Sequence, residues 1–362
     1  MPKYLIKLTP LEPYFFGGER TFGFGMAKGQ VQKYYIVSEK VPSQTTLFGT
    51  LRYIILSQNK ALIGEENAAE AANYVGAGSF SFDKAMKNEN QGFGKINCIS
   101  PLFLTNGVKW LVPTPYNHNP GDKNNPNKKY TPFTMAEIPV ISGNGFMIYP
   151  EDFKTKNGYG GGYISLSDLN IVKDDDIFLT DVRTGINSHR TEDTTNGIED
   201  DGSFFKKERK MLKKGYSFAF IAELSEEMKC TSEIVFMGQD KSPFRYEIEE
   251  TAKDLTDCVK NAFENTNCNA LQYALSDIMP LSEQFSPGDG ELKYYIADTK
   301  ALRNLKTVNY GKKYYHARLE KSEKLYILMR AGSVFFTEKD LFENQALRKI
   351  GLNIIVELKG EK

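Results

Sequence analysis

Cations and aromatic side chains alternate with glycine near the start of the chain. Arg20 and Lys28 bracket this stretch, and Phe22 and Phe24 lie between them, each followed by glycine. Arginine and lysine can pair with phosphates, and stacking a base on an aromatic ring is worth roughly 1–3 kcal/mol per base. The pattern therefore predicts a nucleic-acid clamp. The alternative is a structural loop whose phenylalanines fill the core.

A second polar stretch lies between Asp181 and Lys214. It holds five side chains that can bind nucleic acid: Arg183, Asn187, His189, Arg190 and Thr191. Arginine can grip a phosphate through two parallel hydrogen bonds, whereas histidine and asparagine can bond to base edges. A basic run follows, made of Lys206, Lys207, Arg209, Lys210, Lys213 and Lys214. Because such runs are usually solvated faces, the alternative here is a solvated surface loop.

The stretch after Pro42 predicts a helix start. Ser43 is a good N-cap, because its hydroxyl can accept a hydrogen bond from a free backbone amide. An apolar face then recurs at helical spacing, formed by Leu47, Phe48, Leu51, Ile54 and Ile55. Ser43, Gln44, Thr45 and Thr46 could also hold a phosphate with these amides and hydroxyls, since helix N-termini bind anions. Arg52 either reaches a ligand or joins an internal salt bridge.

No cofactor site is predicted. The glycines from Gly23 to Gly29 approach a dinucleotide fingerprint, but the third glycine comes one residue late. A strand-like run follows them, whereas the fingerprint must join a strand to a helix. The phosphate-binding loop of ATP and GTP motors is also missing from the sequence.

Catalytic and metal constellations are missing too. The three histidines, His118, His189 and His316, are far apart in sequence, and none belongs to a Ser-His-Asp or Cys-His arrangement. No CxxC pair occurs among Cys98, Cys230, Cys258 and Cys268, so zinc is not expected. Scattered acids in a polar loop usually face solvent, and we expect this of Glu192, Asp193, Glu199, Asp200 and Asp201.

Bulk composition limits the class of protein. The 362 residues are 40% hydrophobic, enough for a substantial core, and the formal net charge is +0. Neutrality argues against a protein that coats nucleic acid nonspecifically, because such binding depends on neutralising phosphates. Unpaired thiols favour a cytoplasmic location. We expect no signal peptide and no membrane span.

Periodicity predicts an α+β chain. We expect strands near 4–8, 34–37, 96–104, 109–112, 216–222, 234–237, 244–248, 292–296, 324–329, 333–336 and 352–357. We expect helices near 43–58, 65–74, 251–263, 271–279 and 340–348. Asn106-Gly107 is a strong hairpin signal. The stretch 114–162, rich in proline, asparagine, glycine and lysine, indicates a long surface loop.

Several motifs resemble one known family. PLEPYFFGGERTFG followed by PSQTTLFGTLRY is similar to the opening of the third-subunit family of type III-B CRISPR (Cmr) complexes, within the RAMP superfamily. The RxGI element at Arg183 and the sequence VFMG at 235–238 recur in the same order in RAMP proteins. YYIADTKAL at 294–302 and RAGSVF at 330–335 complete the series, with Arg330 in place of the family's proline.

The resemblance implies two ferredoxin-like (RRM-like) domains with long loop insertions. The first would span 1–250, with insertions near 114–162 and 183–214, and the second 251–362. It implies a non-catalytic subunit that binds the 5′ handle of the CRISPR RNA. The implied protein partners are the large polymerase-cyclase subunit and the backbone RAMP subunits, with target RNA contacted indirectly. All thirteen residues named above in the three polar stretches become candidate RNA ligands.

Three alternatives stay open. The chain could be a RAMP endoribonuclease that processes precursor CRISPR RNA, with His189 beside Arg190 as the candidate acid–base pair. It could be the equivalent subunit of another type III complex, or a protein–protein adaptor without RNA contacts. Its neutral charge and the lack of a glycine-rich loop near the C-terminus depart from the family pattern.

Overall fold

The computed structural model places its elements in a defined set of residues. The described residues are 1–17, 34–62, 68–87, 89–122, 125–135, 140–142, 145–147, 150, 161–187, 203–238, 240–264, 266, 271–280, 292–303, 305–309, 317–321, 324–337 and 342–358. They form an α+β fold with mostly antiparallel sheets and few helices, which confirms the predicted class.

The helices within these ranges are short, apart from the first. They are α1 (Gln44–Gln58), α2 (Ala68–Val75), α3 (Phe82–Met86), α4 (Asp174–Ile177), α5 (Leu255–Phe263) and α6 (Gln345–Lys349). The prediction for α1 is confirmed, since Ser43 caps it and its apolar face is buried. No helix in the described part of the chain is long and apolar enough to cross a membrane.

Strands make up most of the remaining regular structure. In chain order the first are β1 (Lys3–Pro10), β2 (Phe16–Gly17), β3 (Tyr34–Glu39), β4 (Ile96–Ile99), β5 (Phe103–Thr105), β6 (Trp110–Pro113), β7 (Gly121–Asp122), β8 (Asn125–Pro126), β9 (Val140–Ser142), β10 (Gly145–Met147), β11 (Tyr163–Ser165) and β12 (Ile171–Val172). The others are β13 (Phe178–Asn187), β14 (Ser203–Leu212), β15 (Ser217–Leu224), β16 (Ser232–Met237), β17 (Ser242–Glu250), β18 (Leu271–Ala274), β19 (Leu292–Ile296), β20 (Thr299–Leu302), β21 (Leu305–Asn309), β22 (Ala317–Lys321), β23 (Tyr326–Met329), β24 (Val334–Thr337) and β25 (Ile355–Leu358).

A nine-stranded sheet forms the centre of the fold. Its order is β12-β11-β6-β5-β15-β1-β17-β16, with β4 also paired to β15. Strand β1 alternates between two cores, because successive side chains of a strand point to opposite faces. Tyr4, Ile6 and Leu8 face a core that includes the apolar side of α1. Leu5 faces the second core.

The second core joins the central sheet to the C-terminal part of the chain. It contains Leu5 of β1 and Ile221 of β15, together with the apolar face of α5. The C-terminal sheet, ordered β19-β24-β18-β25, supplies Tyr273 and Val334 to the same core. The central sheet is therefore covered on both faces along much of its length.

A smaller four-stranded sheet stands beside the central one. Its order is β13-β14-β3-β2, and β14 pairs with β3 in the parallel sense. The two sheets are joined where Tyr14 and Lys210 exchange backbone hydrogen bonds of 2.7 and 3.0 Å. Both polar stretches singled out in the sequence are attached to this smaller sheet.

Three predictions of local structure were wrong. Residues 271–274 form a strand rather than a helix, because the segment lies between β24 and β25 with all four residues buried. The expected loop insertion at 183–214 contains much of a long hairpin, β13 with β14, in which Arg209 pairs with Asp181 across the strands. The expected surface loop after Thr114 is partly core: Tyr130 is buried, and its hydroxyl donates to Asn117 Oδ1 at 2.8 Å.

Candidate nucleic-acid interface

Most of the two predicted nucleic-acid stretches lies outside the described residues. This applies to Arg20, Phe22, Phe24, Lys28, His189, Arg190 and Thr191. The strand of Asn187 is described, but not its side chain. The strand ends on either side of these residues are described, and they show how the two stretches relate to one another.

The strand register of the small sheet places the residues that flank the two stretches at the same end of its strands. Phe205 of β14 pairs with Tyr34 of β3 in the parallel sense, so the first residues of both strands lie side by side. Asn187, at the end of β13, pairs with Ser203 at the start of β14. Residues 18–33 therefore lead into β3, and residues 188–202 lead into β14, at the same end of the small sheet. This juxtaposition depends on a parallel pairing distant in sequence, which local patterns do not reveal.

The segment before Gly17 is held by buried aromatic rings and hydroxyls. Tyr14 and Phe16 pack with Phe218 and Phe244, with ring centroids 4.9–6.3 Å apart. The Tyr14 hydroxyl donates to the Lys40 carbonyl at 2.7 Å. The Phe16 amide donates to the Ser38 hydroxyl at 2.9 Å. The aromatic opening motif is thus a rigid base for β2 and β3.

Most of the basic run on β14 is already neutralised within the chain. Lys207 lies 2.6 Å from Asp240 Oδ1 and over the Phe15 ring, and Lys210 lies 2.5 Å from Glu208. Arg209 donates to Asp181 at 2.6 Å, and this bond lowers the pKa of the Asp181 carboxyl. The run therefore stabilises the hairpin more than it offers free charge.

Arg183 is the exception on this hairpin. Its side chain is 66% exposed, and its one bond to a described residue runs from Nε to Asp181 Oδ2 at 3.2 Å. Asp181 is already bonded to Arg209, so the outer nitrogens of the Arg183 guanidinium can receive a phosphate. Of the predicted ligands in this stretch, Arg183 is the one whose side chain is described.

At the start of α1, the hydroxyls predicted to bind a phosphate are also bonded to one another. The Ser43 hydroxyl accepts from the Thr46 amide at 3.3 Å and lies 2.9 Å from the hydroxyls of both Thr45 and Thr46. These three side chains are half-buried. They form a compact hydroxyl cluster beside the helix N-terminus, which is compatible with capping and with anion binding.

Gln44 is a structural residue in this conformation. It is only 5% exposed. Its Nε2 donates to the carbonyls of Ser100 and Ile350, each at 3.0 Å, and its Oε1 accepts from the Leu102 amide at 3.0 Å. The side chain therefore joins α1 to two distant segments, and it has no group left to offer a ligand.

The start of α1 and the 188–202 segment lie at opposite ends of β3. Residues 18–33 connect these ends, because they follow Gly17, which pairs with Ser38, and lead into Tyr34. The strand begins at Tyr34, beside Phe205, and its last residue Glu39 leads within a few residues to α1. Six residues of strand span roughly 20 Å at about 3.3 Å each. A ligand that touches both ends must therefore lie along β3.

Two further motifs from the sequence, VFMG at 235–238 and RAGSVF at 330–335, contact this region. Gly238 adopts a φ of +76°, and a Cβ there would lie 2.5 Å from the Phe15 carbonyl oxygen. Arg330 lies 3.5 Å from Glu39 and 3.0 Å from Asp298, so the C-terminal motif reaches the end of β3. No local sequence pattern reveals the contact between Arg330 and Glu39, because the two residues are separated by most of the chain. Arg52 donates to the Gly76 carbonyl at 3.2 Å and forms no ion pair with a described residue.

Within the described ranges, no group of three or more His, Cys, Asp or Glu side chains could hold a metal ion. Of the three histidines, only His118 is described. Its Nδ1 accepts from the Thr131 amide at 3.2 Å, and burial lowers its pKa. It lies next to Tyr130 in the core, with ring centroids 5.9 Å apart.

Comparison with known proteins supplies the family. The model for "CRISPR-associated protein (Cas_Cmr3)" matches residues 6–353. The chain belongs to this family. The resemblance predicted from the sequence motifs is confirmed, and the protein is a Cmr3-type subunit of the RAMP kind.

Two solved structures match the chain at low sequence identity, and the first of them shows a similar fold. One is a chain of "Cryo-EM structure of the Type III-B Cmr-beta bound to cognate target RNA", with a TM-score of 0.51 and 14% identity, covering 98% of this chain and 96% of that one. Another is "Cryo-EM structure of the Type III-B Cmr-beta bound to cognate target RNA and AMPPnP, state 1", with a TM-score of 0.44 and 13% identity over 92% and 85% of the two chains. No curated protein sequence matches the chain.

Proposed function

We propose that this Cmr3-type subunit is a non-catalytic RNA-binding protein that holds the 5′ handle of the CRISPR RNA. The observation that carries this proposal is that β3 and β14 begin at the same end of the small sheet. There Tyr34, which follows the segment containing Arg20 to Lys28, lies beside the start of β14, which follows the segment containing His189 to Thr191. The exposed Arg183 lies farther along the same hairpin, paired with Lys207. Single-stranded RNA is recognised by stacking and by hydrogen bonds to splayed bases, with its phosphates bound separately. The two segments supply those groups.

The RNA path follows β3 in this proposal. Its first phosphates meet Arg183 and the two polar segments. A later phosphate meets the hydroxyls of Ser43, Thr45 and Thr46 at the other end of the strand. Gln44 keeps α1 in position and makes no RNA contact.

The division into two ferredoxin-like domains, 1–250 and 251–362, is part of the same proposal. The proposed boundary coincides with the end of β17 and precedes α5. The two parts would be closely joined, since Gln44 bonds to Ile350 and the second core contains residues from both. We propose that the joined pair binds the large polymerase-cyclase subunit and the backbone RAMP subunits, and contacts target RNA indirectly.

Affinity as a function of salt concentration tests the RNA contact. Each phosphate contact to single-stranded RNA contributes about 0.7 to the slope of log K against log salt. We expect Arg183→Ala to weaken binding of a matched handle RNA. The magnitude of the slope should fall by about 0.7, the value for one phosphate contact. Arg20→Ala should behave alike, whereas changes at Asn187 or His189 should relax discrimination against a scrambled handle.

Arg245→Ala is the matched control, because Arg245 is exposed on another surface and forms no bond with a described residue. If Arg183→Ala and Arg20→Ala remain folded and bind both RNAs like the parent at every salt concentration, the RNA-binding proposal is wrong.

Cleavage assays distinguish the endoribonuclease alternative. We expect the isolated chain to leave a repeat RNA intact with or without divalent metal ions, because its sequence contains no recognisable catalytic constellation. Cleavage at a defined position that is abolished by His189→Ala would contradict the non-catalytic assignment.

A further inference from the structure

Strand β16 ends the central sheet on one side. In the described strand order it pairs with β17 alone, through a regular antiparallel register from Ser232↔Glu247 to Met237↔Ser242. An edge strand presents a row of N–H and C=O groups to which another strand can pair. Proteins often protect such an edge with inward charges, proline or a bulge, and the β16 register is uninterrupted.

The hydrogen-bond phase of β16 identifies its outward groups. The Ile248 amide donates to the Thr231 carbonyl at 3.1 Å, so Thr231 and Ile248 form a hydrogen-bonded pair. Such pairs alternate with non-hydrogen-bonded ones along an antiparallel ladder. Ser232, Ile234 and Phe236 therefore point their backbone groups away from β17.

The same residues carry an exposed apolar surface. Phe236 is 64% exposed and Ile234 is 55% exposed. Phe236 pairs with Pro243, whose carbonyl accepts from the amide of the 42%-exposed Leu11, so an apolar row crosses three adjacent chain segments. Farther along the central sheet this face is covered by the C-terminal part of the chain. Here it is open.

Charge distinguishes a protein occupant from a nucleic acid. On the face of Ile234 and Phe236, β17 presents Arg245, Glu247 and Glu249, and Lys7 of β1 pairs with Glu249 at 2.7 Å. This face has no excess of positive charge to attract a phosphate backbone. The arginine, Arg245, lies beside Ile234 in the register and forms no hydrogen bond or ion pair with a described residue. It is available for one carboxylate.

We propose that β16 accepts an extended strand from another protein subunit of the complex. The added strand pairs with the outward backbone groups of Ser232, Ile234 and Phe236. Its apolar side chains cover Ile234, Phe236 and Leu11, and one of its carboxylates bonds to Arg245. This inference rests on the proposed function insofar as it requires the assembled complex.

Amide hydrogen exchange tests the inference at the level of single backbone groups. The probe is the full chain, measured alone and after reconstitution with the other protein subunits of its complex, without RNA. We expect the amides of Ile234 and Phe236 to exchange rapidly in the free chain and to be protected in the complex. The inward amide of Val235 should be protected in both. Unprotected outward amides in an assembled complex would overturn the inference.

Two variants address the backbone and the side chains separately. Ile234→Pro removes an outward N–H without breaking a bond to β17, since proline is tolerated at such edge positions. Phe236→Glu adds charge to the apolar row. We expect each to weaken assembly about tenfold or more, as loss of a buried interface anchor does. Val108→Glu, at an 89%-exposed site in a hairpin turn, should assemble like the parent.

The remaining outcomes also decide. If the parent chain does not assemble at all, both the proposed function and this inference fail. If the parent and both β16 variants assemble equally well, only this inference fails. Protection that rises with concentration of the chain alone, together with dimers in light scattering, would assign the edge to a second copy instead. Protection that requires RNA and no protein would assign it to nucleic acid.

Discussion

Gln44 shows how one side chain can connect distant parts of this chain. It satisfies two carbonyls and one amide from segments around Ser100, Leu102 and Ile350. The sequence suggested an RNA ligand at this position, because glutamine at a helix start is polar and is usually exposed. Because its tertiary partners are separated from it by 56–306 positions, the local sequence pattern does not reveal them.

We expect Gln44→Ala to lower the free energy of unfolding by about 1–3 kcal/mol, because it leaves buried polar groups without partners. Urea unfolding followed by circular dichroism measures this. Gln58→Ala is the control, since Gln58 makes exposed and half-buried bonds at the other end of the same helix. Equal stability of the Gln44 variant and the parent would contradict the structural role.

Arg183 is the predicted ligand of the second polar stretch whose side chain the structure describes. The sequence singled it out as a phosphate ligand, and the structure leaves its guanidinium largely exposed with a single shared carboxylate. The neighbouring lysines looked equally suitable in the sequence. Lys207 is paired with Asp240 in the turn between β16 and β17, and Lys210 is paired with Glu208 on its own strand.

At the scale of elements, a turn with a positive φ at Gly332 determines how the C-terminal motif RAGSVF, at 330–335, packs. Gly332 has a φ of +100°, and a Cβ there would lie 2.7 Å from Tyr116 Cε1 and 3.0 Å from the Thr114 carbonyl. The Tyr116 amide also donates to the Gly332 carbonyl at 2.8 Å. The turn between β23 and β24 therefore holds the start of the segment after Thr114 in place.

A pair of glycine substitutions tests this packing with opposite signs. We expect Gly332→Ala to cost about 1–3 kcal/mol in the free energy of unfolding, since a non-glycine residue is strained there. Gly49→Ala, in the exposed middle of α1 with no atom within 4 Å of the new Cβ, should instead stabilise by about 0.5–1 kcal/mol. Thermal unfolding of both variants measures the difference. A stable Gly332 variant would show that the turn can rearrange.

Element types were predictable wherever local pattern decides them. Helix α1 has a cap and an apolar face at helical spacing, and the Asn106-Gly107 turn joins β5 to β6 as predicted. Strand β18 was mistaken for a helix because a short buried apolar run has no distinctive period. The β13–β14 hairpin has the sequence pattern of a polar loop, since both of its strands are rich in charged residues; one ion pair, Arg209 with Asp181, crosses the two strands.

At the scale of the whole molecule, ion pairs make stability depend on acid pH. Hydrogen bonds from Lys109 to Asp168, Lys324 to Asp83 and Arg209 to Asp181 lower the pKa of each carboxyl. A carboxyl with a folded pKa below the unfolded value of about 3.9 stabilises the fold above that value. This contribution is lost as the pH falls through the lowered pKa.

We therefore expect the free energy of unfolding to decrease as the pH falls below about 4, with Asp168→Asn reducing the slope. Chemical unfolding at a series of pH values measures it. Glu227→Gln is the control, because Glu227 is exposed and bonded to no described residue. An unchanged slope for the Asp168 variant would contradict the role given to the Lys109–Asp168 pair.

Photo-crosslinking tests the central claim, that RNA lies along β3, most directly. The RNA is a 5′-handle oligonucleotide carrying one 4-thiouridine at successive positions, bound to the chain in its assembled complex, and the crosslinked peptides are identified by mass spectrometry. We predict crosslinks that move from the peptides around Arg183 and Tyr34 toward the one containing Ser43 as the label moves along the RNA. Crosslinks confined to other surfaces of the chain, or none above those of a scrambled RNA, would contradict the account.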